Sequence, residues 1–206
     1  MIDAREALGL LREGNRRFAA DIPSHALTTE SRRRELAGGQ APFAVILGCS
    51  DSRVPAEIIF DQGLGDLFVI RVAGNIVAPS QIGSVEFAVE RFGTRLVVVL
   101  GHSSCGAILA TLEELQRPRE QQSRNLQSIV GRVRPSVEAL LSMNIRNDPA
   151  TLVQEAVRAN IRVSANHLRH GSEILEQLIE KAGLVVVGAE YSLETGLVDF
   201  FATEGL

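Results

Sequence analysis

Four short, continuous apolar runs constrain the fold of this 206-residue chain more than any other feature. The runs cover residues 43–47, 67–72, 96–100 and 184–187, and they are apolar at successive rather than alternate positions. Continuous runs are typical of parallel strands that helices cover on both faces. Because longer helical segments separate the runs, the sequence predicts an α/β fold with a mainly parallel central β-sheet flanked by helices.

Helical periodicity and end signals predict the segments between the strands. The apolar residues of 3–19 recur every three or four positions, which predicts an amphipathic helix. The other expected helices are one between Thr28 or Thr29 and Gly38, one over 84–92, one over 105–115, and a long region over 125–182 interrupted at Pro135, Pro149 and Gly171. Asp148 and Pro149 are typical of a helix start, and Gly171 and Gly183 of helix ends.

The two ends of the chain complete the predicted organisation. Residues 191–201 are expected to form a final hairpin or edge strand that turns at 194–196. We expect a single domain over 1–206, with an N-terminal helical arm over 1–38 and an α/β core over 39–206.

Composition excludes several classes of protein. A formal net charge of −4 and a pI near 5.6 give no electrostatic footprint for nucleic acid. No apolar stretch reaches the ~18 residues of a membrane span, and the first residues lack the apolar core of a signal peptide. The two cysteines, Cys49 and Cys105, are too few for a disulfide scaffold or a four-cysteine metal site. We therefore expect a cytoplasmic protein with reduced thiols that binds neither nucleic acid nor membrane.

Two of the predicted strands end in the same way, with a glycine followed by a side chain that can bind a metal. Cys49 follows Gly48, His102 follows Gly101, and Cys105 comes three residues after His102. The carboxyl ends of parallel strands are where α/β sheets place their ligand sites. Two thiolates and one imidazole suit zinc, and three protein ligands leave the open position of a catalytic site. The alternative is that both cysteines are small buried apolar residues.

The loop after Cys49 favours the metal site over that alternative. Asp51 and Arg53 stand two residues apart, so they can form a bidentate ion pair beside Cys49. A carboxylate held by arginine stays ionised and can orient a water molecule at a metal. Other cysteine chemistries do not fit, because the spacing from Cys49 to Arg53 is too short for a thiol phosphatase loop and no Cys-x-x-Cys motif is present.

The stretch GCSDSRVPAEIIFDQGLGDLFVIRVAGN, followed by GHSSCGA, resembles the β-class carbonic anhydrases. The likeness extends from the N-terminal ALGLLREGNRRF to the VVVGAEYSLETG segment near the C-terminus. It implies zinc-dependent, reversible hydration of carbon dioxide to bicarbonate and a proton, by attack of zinc-bound hydroxide on CO2. It also implies one Zn²⁺ per chain, held by Cys49, His102 and Cys105, with Asp51 and Arg53 as the orienting pair.

The resemblance assigns further residues to the substrate and to assembly. Gln40 matches a glutamine that hydrogen-bonds substrate, usually from across a dimer interface, and Gly106 matches a glycine whose backbone contacts substrate. Phe68 and Phe87 match apolar pocket residues, which the alternative interpretation places in the core, and Ala73 lies at one pocket wall. The family implies a homodimer at least, with tetramers common.

One departure from the family pattern concerns its subgroups. Some bacterial members carry a non-catalytic bicarbonate site of Trp, Arg and Tyr; Arg71 and Tyr191 match two of these residues, but Ile46 stands at the Trp position. Together with Gln40, this favours the plant-type subgroup with an open zinc site. Two rival functions remain at this stage: a carbonyl sulfide or carbon disulfide hydrolase of the same fold, and a zinc or scaffold protein without catalysis.

Overall fold

A computed structural model of the protein describes residues 2–22, 24, 29–115, 123–141 and 148–201, and its core is a single five-stranded sheet. The strands are β1 Ala44–Gly48, β2 Leu67–Arg71, β3 Leu96–His102, β4 Val185–Tyr191 and β5 Val198–Phe201. Their order across the sheet is β2-β1-β3-β4-β5. The first four strands pair in parallel, and β5 pairs antiparallel with β4. The predicted mainly parallel sheet is confirmed, as is the final edge strand.

Helices occupy the connections between the strands. They are α1 Ala4–Ala19, α2 Glu30–Leu36, α3 Ala56–Ile59, α4 Pro79–Arg91, α5 Gly106–Glu114, α6 Gln127–Leu141, α7 Pro149–His170 and α8 Glu173–Ala182, with a 3-10 turn at Ala73–Asn75. Asp148 caps α7 as expected, and Gly171 and Gly183 end α7 and α8. No helix in the described ranges has both the length and the apolar character to cross a membrane.

Pro135 is the one expected interruption that is wrong. It lies inside α6, which continues across it, so the missing backbone donor and the ring do not end this helix. Val133 and Val137, on either side of Pro135, are completely buried against the core. Packing of this apolar face therefore outweighs the local preference of proline to end a helix.

The two faces of the sheet carry separate apolar layers, which explains the continuous apolar runs. Val45 and Leu47 of β1 face the layer formed with α4 to α8, whereas Ala44 and Ile46 face the layer formed with α1 and α3. All four residues are completely buried. Because successive side chains of a strand point to opposite faces, both sets must be apolar.

The N-terminal segment contains one packed helix and one exposed helix. Helix α1 buries Ala7, Leu8 and Leu11 against the sheet of its own chain, whereas α2 has no buried residue. The buried Asn15 side chain ties α1 to the last residue of α3, to the turn before β5 and to the first residue of β5 through hydrogen bonds to backbone groups. The site lies elsewhere, where the carboxyl ends of the neighbouring parallel strands β1 and β3 are side by side.

Candidate metal centre

Three candidate ligands converge where β1 and β3 end. Cys49 follows β1, His102 is the last residue of β3, and Cys105 stands immediately before α5. Their ligand atoms all lie within 4.8 Å of one another, and all three residues are buried. Because β1 and β3 are neighbours in parallel register, residues 53 positions apart in sequence lie at the same edge of the sheet. The sequence prediction that these residues meet is therefore supported by the geometry.

The imidazole of His102 is oriented for binding a metal. Its Nδ1 atom lies 2.9 Å from the backbone carbonyl oxygen of Ser103 and donates to it in the tautomer that this contact requires. The Nε2 atom is buried and has no hydrogen-bond partner among the described residues. A buried nitrogen without a partner is costly unless it has a ligand, and a histidine whose other nitrogen binds a carbonyl is the usual arrangement at zinc.

The two cysteine sulfurs titrate as a pair that shares one proton. A hydrogen bond from Cys105 lowers the pKa of Cys49 to about 4, although burial works in the opposite direction. The same contact with Cys49, together with burial, raises the pKa of Cys105 above its ordinary range. The first thiol therefore ionises readily and the second only with difficulty. A divalent cation would supply the positive charge that allows both sulfurs to be thiolates.

His102 responds to the same local charges. Burial disfavours its protonated form, but the neighbouring Cys49 sulfur and the Asp51 carboxylate outweigh that effect and raise the pKa of His102. Its Nε2 atom lies 3.8 Å from Asp51 Oδ2. The Cys49 sulfur and the Asp51 carboxylate therefore both favour positive charge beside His102.

Asp51 and Arg53 form the expected ion pair at the mouth of the site. Arg53 donates from Nε to Oδ1 at 2.9 Å and from a terminal nitrogen to Oδ2 at 2.8 Å, and its backbone N–H also donates to Oδ1 at 3.0 Å. The Arg53 guanidinium holds the pKa of Asp51 well below its usual range. Asp51 is therefore ionised and directed towards Arg53, and its Oδ2 atom also lies near His102.

Arg71 supports this loop from the end of β2. Its guanidinium donates to the carbonyl oxygens of Cys49 at 3.1 Å and Asp51 at 2.6 Å. With Ile46 at the Trp position, the sequence predicts that the Trp-Arg-Tyr bicarbonate site is not formed, and Arg71 has this supporting role instead. The signal in the sequence for this supporting role is that Arg71 is a charged residue at the end of an apolar strand, on the same side of the sheet as Cys49.

The residues fit zinc on the chemistry of their donors. Two free, buried cysteines and a histidine whose Nε2 has no partner within the described ranges form a Cys2His set, which is a known catalytic zinc set with a fourth position for water. The group that could hold a metal consists of Cys49, His102 and Cys105, whereas Asp51 is paired with Arg53. This is the arrangement expected of an open site.

Two further predicted residues lie beside the ligands. Gly106 is the first residue of α5, directly after Cys105, and it is exposed. Ala73 opens the 3-10 turn whose next residue, Gly74, donates its backbone N–H to Cys49 Sγ at 3.4 Å. Both residues therefore belong to the surroundings of the three ligands.

Gln40, Phe68 and Phe87 lie away from the ligands of their own chain. Gln40 is exposed and lines a groove with Leu64 and Gly65 at the amino end of the sheet, whereas Cys49 follows the carboxyl end of β1. The five residues of β1 separate the two ends by about 13 Å, which a glutamine side chain does not span. Phe68 and Phe87 pack together with Phe92, with ring centres 5.7–6.1 Å apart. Phe87 is 54% exposed, so this cluster lies at the surface of the chain.

Sequence reasoning did not single out three residues that contact the ligands or their neighbours. Gly74 donates to Cys49, Ser103 accepts from His102, and Asn160 of α7 donates to the carbonyl of Gly74 at 2.7 Å. The Gly-Asn pair after β2 is a signal for a left-handed turn. An asparagine on the apolar face of α7 is a signal for a buried polar contact.

Comparison with known proteins agrees with this site. A family model described as carbonic anhydrase matches residues 44–198. Carbonic anhydrase 2 of Mycobacterium tuberculosis is 42% identical over 90% of this chain and 87% of its own length. This chain belongs to the β-class carbonic anhydrase family.

Solved members of the family share the fold. The β-carbonic anhydrase CcaA has a TM-score of 0.74 and 26% identity, covering 96% of this chain and 85% of its own. A tetrameric β-carbonic anhydrase of Sordaria macrospora has a TM-score of 0.72 and 26% identity, covering 82% of this chain and 85% of its own. Hydration of carbon dioxide is the reaction of the family, and zinc is its metal. The protein is thus a zinc-dependent carbonic anhydrase.

Proposed function

We propose that the chain hydrates carbon dioxide reversibly to bicarbonate and a proton at the site formed by Cys49, His102 and Cys105. The observation that carries the proposal is the convergence of these three candidate ligand atoms, with a buried His102 Nε2 that has no hydrogen-bond partner in the part of the chain that the structure describes. When bound there, zinc supplies a Lewis acid that lowers the pKa of a water molecule and so provides a nucleophile near neutral pH.

Asp51 positions the nucleophile in this proposal. Because Arg53 keeps the carboxylate ionised and engages both of its oxygens, Asp51 can accept a hydrogen bond but cannot donate one. A carboxylate in that state favours the orientation in which the water O–H points towards Asp51 and a lone pair of the water oxygen is free to attack the substrate. Arg53 therefore acts through Asp51, and Arg71 acts on the same loop through its carbonyls.

The substrate side of the site combines a donor with an apolar wall. The Gly106 N–H lies in the first turn of α5, where backbone amides have no acceptor within the helix. It can donate to the oxygen that becomes negative as bicarbonate forms. Ala73, which precedes Gly74 in the 3-10 turn, is the small apolar residue that we propose for the wall facing a linear, uncharged substrate such as CO2.

Gln40 completes the site from a second copy of the chain in this proposal. The length of β1 separates Gln40 from the ligands of its own chain, and a Sordaria relative is tetrameric. The exposed Phe87, with Phe68 and Phe92, offers an apolar surface on β2 and α4 for the same contact. We therefore propose a homodimer, or a tetramer built from dimers, as the active form.

Stopped-flow hydration of CO2 on protein of measured zinc content tests the reaction. The wild-type chain should carry about one zinc per chain and turn over CO2 faster than carbonyl sulfide or carbon disulfide. Cys49→Ser should lose both zinc and activity, while Asp51→Asn should keep zinc and lose about a hundredfold in kcat/KM. Zinc without CO2 turnover would indicate a non-catalytic protein, and faster turnover of a sulfur substrate would favour the hydrolase alternative.

Mixed oligomers test the origin of Gln40. Gln40→Ala and Asp51→Asn are each expected to be nearly inactive alone. If Gln40 acts across the interface, a hybrid dimer of the two variants contains one site with both groups intact. An equimolar, exchanged mixture should then recover about a quarter of wild-type activity, since about half of the dimers are hybrids. No recovery in a mixture shown to contain hybrids would contradict the role of Gln40 across the interface.

We also propose a cytoplasmic location. Both cysteines are free and lie in the metal site, so a reducing compartment is needed to keep them available as ligands. Cell fractionation with an antibody against the chain is the measurement, and recovery of active protein mainly outside the cytoplasm would contradict the proposal.

A further inference from the structure

The turn between β2 and α4 has an unusual backbone conformation where it meets the metal ligands. Gly74 and Asn75 both have positive φ, at 71° and 43°. Glycine adopts this region without steric cost, whereas at Asn75 it costs energy that the surroundings must offset. The result of this conformation is that the Gly74 N–H donates to Cys49 Sγ at 3.4 Å.

Close packing leaves little freedom around Gly74. A Cβ atom there would lie 3.0 Å from the Ala107 side chain of α5 and 3.7 Å from Val133 of α6. Packing alone, however, does not determine which way a peptide group turns. The peptide group between Gly74 and Asn75 is held at one end, where the Asn75 N–H donates to the Val72 carbonyl at 3.1 Å, and the Gly74 carbonyl at its other end needs a polar contact of its own.

Asn160 supplies this contact from the middle of α7. It is 1% exposed, and its Nδ2 atom donates to the Gly74 carbonyl at 2.7 Å. Its Oδ1 atom has no hydrogen-bond partner within the described parts of the chain. A buried asparagine in a helix is costly, and the bond to Gly74 is the contact that compensates for that cost.

We propose that Asn160 is a positioning residue for the metal centre. By holding the Gly74 carbonyl, it keeps the Gly74 N–H directed at Cys49 Sγ, and so tunes the charge on that sulfur and the affinity of the site for metal. The inference rests on the proposed role of Cys49 as a ligand. Outer contacts of this kind typically change metal affinity by about ten- to a hundredfold.

Two variants and one matched control test the proposal in the full-length protein. Asn160→Leu keeps the number and branching of the side-chain heavy atoms but removes the donor, and Asn160→Ala removes both. Ser164→Ala is the control, because Ser164 is also buried on α7, one helical turn further along. Three quantities are measured. The dissociation constant for zinc comes from competition with a chelating dye, and the charge-transfer absorption from sulfur to metal is recorded on Co²⁺-loaded protein. The thermal midpoint is determined for both the zinc-loaded and the Co²⁺-loaded protein.

Both Asn160 variants should bind zinc about ten- to a hundredfold more weakly than the wild type, whereas Ser164→Ala should not. Loss of the N–H donor raises the energy of the sulfur electrons, so the charge-transfer band should move to longer wavelength in the Asn160 variants alone. A lower thermal midpoint with wild-type zinc affinity and an unmoved band would overturn the proposal, because a purely structural role predicts that result.

A measurement on the wild-type chain tests the hydrogen bond from the Gly74 N–H to Cys49 Sγ even where a variant does not fold. In ¹⁵N-labelled protein loaded with ¹¹³Cd, the Gly74 amide proton should show scalar coupling to the metal through the sulfur. No coupling would overturn the proposal. Less than one zinc per wild-type chain would refute the proposed function as well, whereas stoichiometric zinc with unaffected Asn160 variants refutes this inference alone.

Discussion

Replacing Gly14 with alanine tests the packing of α1 on the sheet. Gly14 is buried in α1, and an alanine Cβ there would contact the Phe60 carbonyl oxygen and lie 2.8 Å from its carbon. The obstacle is backbone, so the helix itself must move. Gly9 lies on the same helix, and a Cβ there would meet nothing within 4 Å. The two substitutions gain the same helix propensity and differ only in what the new methyl group meets.

The expected magnitude follows from Asn15, the residue after Gly14. Its side chain donates to the carbonyls of Ile59 at 3.2 Å and Gly196 at 2.9 Å, and it accepts from the Val198 N–H at 2.8 Å. Moving α1 loses these three bonds at about 1 kcal/mol each. Alanine is more favourable than glycine inside a helix by about 1 kcal/mol, which offsets part of this loss. Gly14→Ala should therefore lower the free energy of unfolding by about 2 kcal/mol.

Thermal and urea unfolding of zinc-loaded protein provide the assay. Gly14→Ala should lower Tm by roughly 4–8 °C, whereas Gly9→Ala should raise it by a few degrees. Adding Asn15→Ala to Gly14→Ala should cost less than Asn15→Ala costs alone, because the bonds are already lost. Equal effects of the two glycine substitutions would refute the packing of α1 described for this chain.

Three further predictions concern charge, support of the loop, and metal. Burial disfavours the Asp61 carboxylate, but its bond from Arg17 and its contacts with Ser24 outweigh this and lower its pKa. The resulting stability should be present above about pH 4 and lost as pH falls through the folded-state pKa. Asp61→Asn should therefore flatten the acid dependence of urea unfolding, and an unchanged slope would contradict this. Arg71→Met should weaken zinc binding by about ten- to a hundredfold in a chelator competition, while Arg91→Met, at an exposed site on α4, should not. Removing zinc with a chelator should lower the free energy of unfolding by about 3 kcal/mol relative to protein in zinc at a hundred times its dissociation constant. Zinc but not magnesium should restore Tm, and restoration by magnesium would argue against thiolate ligands.

Much of the fold was predictable because its signals are local. The apolar runs identify four strands, since residues buried on both faces of a sheet must be apolar at successive positions. The caps and glycines that bound α7 and α8 also act within a few residues. Pro135 shows the limit of local signals, because burial of Val133 and Val137 in α6 prevails over the preference of the proline.

The candidate ligands were likewise available from the sequence, whereas the residues that support them were not. Cys49, His102 and Cys105 are of types that bind zinc, and their positions after strands place them at one edge of the sheet. The contact between Asn160 and Gly74 joins residues 86 positions apart. No local pattern encodes such a contact, because it depends on how α7 lies over the turn after β2.

The sequence by itself therefore determined the strands of the sheet, most of the helices between them, and which side chains are of types that can hold a metal. Only the tertiary structure decided the direction of the Gly74 N–H, the free Nε2 of His102, and the separation of Gln40 from the ligands of its own chain. The physical reason is the distance along the chain over which each kind of interaction acts. Propensity and periodicity act along the chain over a few residues, whereas hydrogen bonds and packing at the site join segments that approach only in the folded protein.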